Sequence, residues 1–298
     1  MILLRIVAAA IAIAWGLNRA DQTVHLPAQP QPTTTTVNTQ QNAAFSSYTI
    51  LHGSRRRLVR VALPVDHPAD ERLPTVVFLH GYNSRPIHAD WNGNWSARVT
   101  ESRFMAVFPE GLDESWNAGP CCRPASVVDT DDVAFLDAVF ADLERRSDVD
   151  PNRMFLVGQS NGGMMAIRYL CEGRHRVVAA ASVAGPNTPR CAPDEPVPFL
   201  TLAGDRDDVT PLNGGTGVLG FFAGQPSPSF RSTFEMVGDE WRCDETTSTT
   251  NPEMTTFRRD CDGVELRLSV IKGGDHSWPT RPVNATMEIL RFFGLDRP

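Results

Sequence analysis

The feature that most constrains the fold is a recurring unit in which a short apolar run ends at a loop and a helix-forming stretch follows. The apolar runs cover residues 73–79, 104–108, 154–157, 177–183, 199–203 and 264–271. Helix-forming stretches cover residues 131–145, 160–171, 232–241 and 283–293. An unbroken apolar run indicates a strand buried on both faces, as in a parallel sheet covered by helices. The alternation predicts an α/β fold, a mostly parallel doubly wound sheet with helices on both faces, in which ligands bind at the carboxyl ends of the strands.

One strand-to-helix junction carries a chemical motif. Residues 158–162 are Gly-Gln-Ser-Asn-Gly, placed after the apolar run 154–157 and before a helix-forming run. A sharp turn between strand and helix needs small residues on both sides of the serine, and it pushes the serine hydroxyl into a cleft. We therefore predict that Ser160 is a nucleophile. The alternative is a Gly/Ser turn that only joins the two elements, and it predicts no histidine and carboxylate downstream.

A serine nucleophile needs an imidazole to take its proton and a carboxylate to orient that imidazole. In folds of this type the chain order is serine, acid, histidine. His276 follows the last apolar run, in a loop opened by two glycines, and we predict that it is the base. The acid comes from the loop after residues 199–203, where Asp205, Asp207 and Asp208 compete on spacing alone. The oxyanion that forms in such a reaction needs two backbone N–H groups, which we assign to Asn161, directly after the serine, and to Tyr82.

The start of the chain predicts export. Residues 1–20 combine one early arginine with an apolar run too short to span a bilayer comfortably, which is typical of a signal peptide, with an uncleaved N-terminal anchor as the alternative. Residues 21–44 are rich in Pro, Thr and Gln and predict a disordered linker. We expect residues 45–298 to be one catalytic domain and to act as a monomer. Within it, residues 46–63 alternate around a glycine and predict an entry hairpin.

Six cysteines agree with an extracytoplasmic location, whether secreted, periplasmic or in the cell envelope. Sequence proximity favours two disulfides, Cys171 with Cys191 and Cys243 with Cys261. Cys121 and Cys122 are then left either as a vicinal disulfide or as thiols.

Charge and ligand patterns exclude other classes of function. The net charge is −7 and the only basic cluster, residues 55–57, predicts a solvated hairpin turn, so nucleic acid is not an expected partner. No H-E-x-x-H or paired C-x-x-C occurs, and we expect no metal and no cofactor. The expected partner is an ester substrate.

Several segments resemble the exported esterases grouped with polyhydroxybutyrate depolymerases and feruloyl or acetylxylan esterases, within the α/β-hydrolase superfamily. The resemblance covers about residues 46–296 and rests on five segments: LHG at 79–81, WNAG and CC at 116–122, DDVAFL at 131–136, GQSNGGM at 158–164 and GGDHSWP at 273–279. It implies an α/β-hydrolase fold without a large lid. It also implies hydrolysis of a carboxylic ester through an acyl-enzyme.

The resemblance also assigns residues. In this family the acid lies four residues before a proline, which is Pro211 here, so the resemblance implies Asp207, with Asp208 as the alternative. The chain departs from the family pattern at Ala203, where His is common, and at Thr210, where Val is common. The resemblance further implies that Trp116 and Trp278 border the cleft and contact substrate, against the alternative that they pack in the core. These are the implied substrate-binding residues.

Two other functions share parts of this pattern. A serine peptidase of the same fold would use the same three side chains. An envelope-tethered binding protein with a decayed hydrolase site would keep the fold without the reaction.

Overall fold

The structure is a computed structural model that describes residues 36–37 and 43–296, apart from 69, 189, 219 and 221–225. The predicted signal peptide or anchor, residues 1–20, lies outside the described residues, as does all of the predicted linker except residues 36, 37, 43 and 44. Among the described residues, no helix has both the length and the apolar character needed to cross a membrane.

The described strands form one mixed sheet. They are β1 Thr36–Val37, β2 Ala44–His52, β3 Arg55–Leu63, β4 Leu73–Leu79, β5 Met105–Pro109, β6 Val149–Gln159, β7 Ala179–Val183, β8 Phe199–Gly204, β9 Thr247–Thr250, β10 Met254–Asp260 and β11 Glu265–Ile271. Their order across the sheet is β1-β2-β3-β5-β4-β6-β7-β8-β11-β10-β9. The stretch from β5 to β11 is parallel, and antiparallel strands extend it on both sides.

Helices cover both faces of this sheet. Those described are α1 Pro86–Gly93, α2 Ser96–Ser102, α3 Asp132–Glu144, α4 Asn161–Glu172, α5 Phe230–Glu240 and α6 Ala285–Phe292. Side chains alternate between the two faces along β4. Val77 and Leu79 join the hydrophobic cluster that contains α3, α4 and α5. Val76 and Phe78 join the cluster that contains α2 and α6. The fold is the predicted doubly wound α/β sheet.

The predicted entry hairpin is β2 paired with β3. Its arginines do not all lie in solvent, however. Arg55 and Arg56 are exposed, whereas Arg57 is only 5% exposed, so the prediction of a solvated turn is wrong for Arg57. Arg57 Nη1 lies 2.5 Å from Asp132 Oδ1, and this buried partner is what permits a guanidinium in the interior.

The structure joins all six cysteines in pairs. Cys171, near the end of α4, is bonded to Cys191, and Cys243, after α5, is bonded to Cys261, after β10. These are the pairs that sequence proximity favours. Cys121 and Cys122 are bonded to each other, which selects the disulfide over the two thiols.

Candidate active site

Ser160 lies in the sharp turn between β6 and α4. Its backbone has φ 52° and ψ −119°, a conformation that side chains other than glycine rarely adopt. The turn is possible because its neighbours lack side chains. A Cβ on Gly158 would lie 2.1 Å from the Gly162 carbonyl oxygen, and one on Gly162 would lie 2.2 Å from the Leu79 carbonyl oxygen. The Ser160 N–H donates to the Val183 carbonyl oxygen at 2.8 Å, which fixes the turn to the end of β7.

The loops after β11 and β8 bring a histidine and a carboxylate to this serine. His276 Nε2 lies 2.9 Å from Ser160 Oγ, and His276 Nδ1 lies 2.8 Å from Asp207 Oδ2. Asp207 is 5% exposed. Asp205 and Asp208, the competing carboxylates, are exposed. The structure therefore brings Asp207, and not its neighbours, against the imidazole.

Asp207 is surrounded by hydrogen-bond donors. Its Oδ1 accepts the backbone N–H groups of Val209 at 2.9 Å and Thr210 at 2.8 Å. Its Oδ2 accepts from His276 and from the Thr210 hydroxyl at 2.9 Å. Burial opposes ionisation of this carboxyl, but the hydrogen bonds from His276 and Thr210 outweigh burial and hold the pKa of Asp207 below its ordinary value. The carboxylate is thus ionised beside the imidazole at neutral pH.

The loop after β4 passes beside the serine. A Cβ on Gly81 would lie 3.6 Å from Ser160 Cβ, so the backbone at Gly81 and Tyr82 borders the space in front of the hydroxyl. Asn161 is the first residue of α4, and the first N–H groups of a helix have no intrahelical partner. These are the two N–H groups assigned to the oxyanion from sequence.

His80 orients this loop and is not a second base. It is fully buried, and its Nε2 accepts the Gly111 N–H at 2.8 Å, so its proton is on Nδ1, which donates to the Gly81 carbonyl oxygen at 2.8 Å. Burial lowers the pKa of His80 to about 4, which keeps the ring neutral. Because a trans peptide is planar, a Gly81 carbonyl that points toward His80 directs the Tyr82 N–H the opposite way.

The structure corrects the positions of the two tryptophans. Trp116 is 0% exposed and Trp278 is 6% exposed, so neither side chain borders an open cleft as the resemblance implied. The Trp278 indole N–H donates to Thr286 Oγ1 at 3.1 Å, and its ring packs on Phe78 at a centroid distance of 5.2 Å. Core packing, the alternative, describes Trp278.

Trp116 connects the two proposed oxyanion donors. Its indole N–H donates to the His80 carbonyl oxygen at 3.0 Å. Its backbone N–H donates to Asn161 Oδ1 at 2.8 Å, and Asn161 Nδ2 donates back to its carbonyl oxygen at 2.9 Å. The side chain of Asn161, to which the sequence assigned only a backbone role, is therefore held by Trp116 from both ends.

A buried ion pair in turn supports the loop that carries Trp116. Arg57 bonds Asp132 and also donates two hydrogen bonds to the Glu110 carbonyl oxygen, at 3.0 and 2.9 Å. Asp132 Oδ2 accepts the Asn117 N–H at 2.7 Å. The preceding residue, Asp131, caps α3 instead, by accepting the Ala134 N–H at 2.9 Å. Sequence reasoning assigned a cap to one of these aspartates and missed the buried pair formed by the other.

A polar cavity of about 630 Å³ lies at the carboxyl edge of the sheet next to this site. We call it the arginine cavity. One of its lining residues, Gly111, donates to His80, which connects the cavity wall to the loop beside Ser160. The lining residues are Arg55, Arg56, Arg57, Arg85, Glu110, Gly111, Leu112, Asp113 and Glu114. Charged side chains of both signs therefore face this cavity.

Within the described part of the chain, no group of three or more histidine, cysteine or acidic side chains is arranged to hold a metal ion. The chemistry available to the site is that of its own side chains and backbone N–H groups: a serine oxygen, an imidazole between it and a carboxylate, and amides at a helix start and a loop.

Comparison with known proteins gives a family and a fold. A family model described as "Putative esterase" matches residues 52–241. The "Putative esterase NocK" of Nocardia uniformis subsp. tsuyamanensis is 30% identical over 260 residues, covering 80% of this chain and 75% of that protein. "Feruloyl esterase B" of Piromyces equi is 26% identical over 74% of this chain, a match that spans 42% of the relative's own length. This chain thus lacks a counterpart for much of that relative.

Solved structures agree on the fold. A thermostable esterase superposes with a TM-score of 0.56 at 17% identity, over 83% of this chain and 62% of that one. An S-formylglutathione hydrolase from Agrobacterium tumefaciens superposes with a TM-score of 0.55 at 14% identity, over 90% of this chain and 99% of that one. At these identities the likeness concerns the fold alone.

Proposed function

We propose that this chain, which belongs to the esterase family and is a carboxylic ester hydrolase with the α/β-hydrolase fold, works through an acyl-enzyme on Ser160 and acts on acyl esters carried by a polysaccharide. The observation that carries the mechanism is the position of the His276 imidazole, with Nε2 2.9 Å from Ser160 Oγ and Nδ1 2.8 Å from Asp207 Oδ2.

The first half of the reaction forms the acyl-enzyme. Ser160 Oγ attacks the ester carbonyl carbon while His276 Nε2 takes the hydroxyl proton. Asp207 holds the Nδ1–H tautomer and stabilises the imidazolium that results. The negative charge that develops on the carbonyl oxygen is bound by the N–H groups of Tyr82 and Asn161. His276 then gives its proton to the leaving alcohol oxygen as the tetrahedral intermediate collapses.

The second half releases the acid. Water replaces the alcohol, His276 takes a proton from it, and the resulting hydroxide attacks the acyl carbonyl. The second tetrahedral intermediate uses the same two N–H groups. Its collapse returns the proton to Ser160 and frees the carboxylic acid.

The proposal of a polysaccharide carrier rests on the arginine cavity and on the relatives. Guanidinium and carboxylate side chains make directional hydrogen bonds to hydroxyl groups, which suits a sugar chain better than an apolar polyester. Two relatives are named for such substrates: the feruloyl esterase B above and a "Bifunctional acetylxylan esterase/xylanase" of Neocallimastix patriciarum, which is 22% identical. Three disulfides support an exported protein, because such bonds persist in oxidising compartments.

The test is a substrate panel with matched variants. We expect the wild type to hydrolyse feruloylated and acetylated xylan oligomers with a higher kcat/KM than hydroxybutyrate oligomers, and to leave the corresponding anilides uncleaved. Ser160→Ala should lose ester hydrolysis by roughly a million-fold. Asp207→Asn should lose several orders of magnitude, whereas Asp208→Asn, an exposed neighbour in the same loop, should match the wild type.

Each alternative has its own outcome in this panel. Anilide cleavage at a rate comparable with ester cleavage would assign a peptidase. An inactive wild type that reacts with no fluorophosphonate would assign a binding protein on a hydrolase fold. A preference for hydroxybutyrate oligomers would keep the mechanism and overturn the polysaccharide carrier.

A further inference from the structure

We propose that Thr210 is a positioning residue of the Ser160, His276 and Asp207 site, whose hydroxyl shares the Asp207 carboxylate with the His276 imidazole. The inference rests on the proposed function, because it assigns to Thr210 a part in the proton transfer at His276. It goes further by adding a side chain at a position where the sequence departs from the Val that is common in similar esterases.

The contacts of Thr210 are dense for one small side chain. The residue is 0% exposed. Its Oγ1 lies 2.9 Å from Asp207 Oδ2, 3.2 Å from His276 Nδ1 and 3.0 Å from the Ala184 carbonyl oxygen. Its backbone N–H donates to the other oxygen of Asp207 at 2.8 Å. The hydroxyl therefore lies within hydrogen-bond distance of both members of the acid–base pair.

The single hydroxyl proton has two acceptors in reach, the Asp207 carboxylate and the Ala184 carbonyl. A hydrogen bond to an ionised acceptor is the stronger of the two, so the hydroxyl donates to Asp207 Oδ2. Its lone pairs then face His276 Nδ1, whose N–H is shared between Asp207 at 2.8 Å and Thr210 at 3.2 Å. In this arrangement the hydroxyl neutralises part of the charge with which Asp207 attracts the imidazolium.

Loss of the hydroxyl has a predictable sign. Without it, Asp207 Oδ2 has His276 as its remaining side-chain donor, and its charge acts more fully on the imidazolium. The protonated form of His276 is then favoured, so the base becomes available only at higher pH. Since one hydrogen bond to a charged group corresponds to roughly one pKa unit, the acid limb of the activity profile should move upward by about 0.5–1 pH unit.

Other charges near the imidazole do not change in the comparison. Among the described residues, the titratable groups that face His276 are Asp207, from the loop after β8, and Asp275, its own neighbour. The Asp275 carboxylate is exposed to solvent and accepts the Ser277 N–H at 2.9 Å. The Ser160 hydroxyl lies on the opposite side of the ring. A substitution at Thr210 alters none of these groups directly.

The same hydroxyl lies near the carbonyl of Ala184, a residue with φ 53° that directly follows β7. The Val183 carbonyl beside it accepts the Ser160 N–H. Thr210 thus lies between the acid loop and the backbone that fixes the serine. Valine retains the shape of threonine and removes these contacts, whereas serine retains the hydroxyl and removes the methyl group.

The experiment is the pH dependence of kcat/KM for 4-nitrophenyl acetate, followed at the isosbestic wavelength of the product. Wild type, Thr210→Val, Thr210→Ala, Thr210→Ser and the exposed control Asp208→Asn are compared, each with a urea unfolding curve. We expect both variants that lack the hydroxyl to move the acid limb upward by about 0.5–1 pH unit, with a fall in kcat of a few-fold and little change in KM. Thr210→Ser and Asp208→Asn should keep the wild-type limb.

The outcomes separate this inference from the function on which it rests. If Ser160→Ala is inactive and the acid limb is unmoved in both Thr210→Val and Thr210→Ala, the role of Thr210 is overturned and the nucleophile stands. An equal shift in Thr210→Ser would also overturn it, because the methyl packing would then be responsible. If Ser160→Ala keeps its activity, the proposed function fails, and the inference fails with it.

Discussion

Replacing Arg57 with methionine is expected to destabilise the protein by about 3–5 kcal/mol, because it leaves the buried Asp132 carboxylate without its counter-ion. Both side chains are removed from solvent, Arg57 at 5% and Asp132 at 0% exposure. The substitution also removes two hydrogen bonds to the Glu110 carbonyl oxygen and the contact of the guanidinium with the Phe135 ring, 3.6 Å away. What remains for Asp132 is the N–H of Asn117.

The magnitude can be checked by a mutant cycle. Asp132→Asn retains an oxygen for the Asn117 N–H but carries no charge, so the double variant Arg57→Met with Asp132→Asn should be more stable than Arg57→Met alone. The matched control is Arg56→Met, an exposed arginine on the same strand, which should stay within about 0.5 kcal/mol of the wild type.

The assay is urea unfolding at pH 7 with the disulfides intact, followed by tryptophan fluorescence, with the free energy of unfolding taken from the midpoint and slope. A loss of 3–5 kcal/mol corresponds to a fall in Tm of roughly 6–20 °C for a domain of this size. If Arg57→Met were as stable as Arg56→Met, or if the double variant were the least stable of the set, the ion pair would not be the support that we infer.

Three further predictions concern the site and its surroundings. Asn161→Asp should lower kcat by tenfold or more with little change in KM, since a carboxylate oxygen would face the Trp116 carbonyl that now accepts from Asn161; Asn161→Gln rescue to the wild-type rate would contradict the fit. The free energy of unfolding should fall as the pH drops from 6.5 to about 4, because the unfolded chain binds a proton at His80 that the buried ring refuses; His80→Asn should remove that part of the slope, and a pH-independent difference between the two proteins would refute it. Replacing Cys243 and Cys261 with alanine should cost about 3 kcal/mol in urea unfolding, and a loss below 1 kcal/mol would contradict the loop-closure argument.

The central strands could be predicted from sequence because their signal is local. β4 is buried along its whole length, and its residues form an unbroken apolar run. β9 gave no such signal, because its four residues, Thr-Ser-Thr-Thr, are exposed and are held only by pairing with β10. The two helices between β4 and β5 are short, and α1 begins at Pro86 in a mixed polar stretch, so their periodicity is weak.

The reacting side chains could be predicted because chain order and turn chemistry restrict them. Their supports could not. Arg57 lies in a run of three arginines, a pattern typical of solvent, and its partner Asp132 lies 75 residues away. Trp116 could not be separated from a cleft residue by sequence, since tryptophan occurs in both settings. Only the fold shows that both its ring and its backbone are engaged by His80 and Asn161.

The most direct test of the central claim is the site of covalent modification by a fluorophosphonate, measured by intact mass and peptide mapping. The proposed mechanism predicts one adduct per chain, on the peptide that contains Ser160. The adduct should be absent from Ser160→Ala, much slower to form in His276→Ala and Asp207→Asn, and unchanged in rate in Asp208→Asn. An adduct on another residue, or an unchanged rate in His276→Ala, would contradict it.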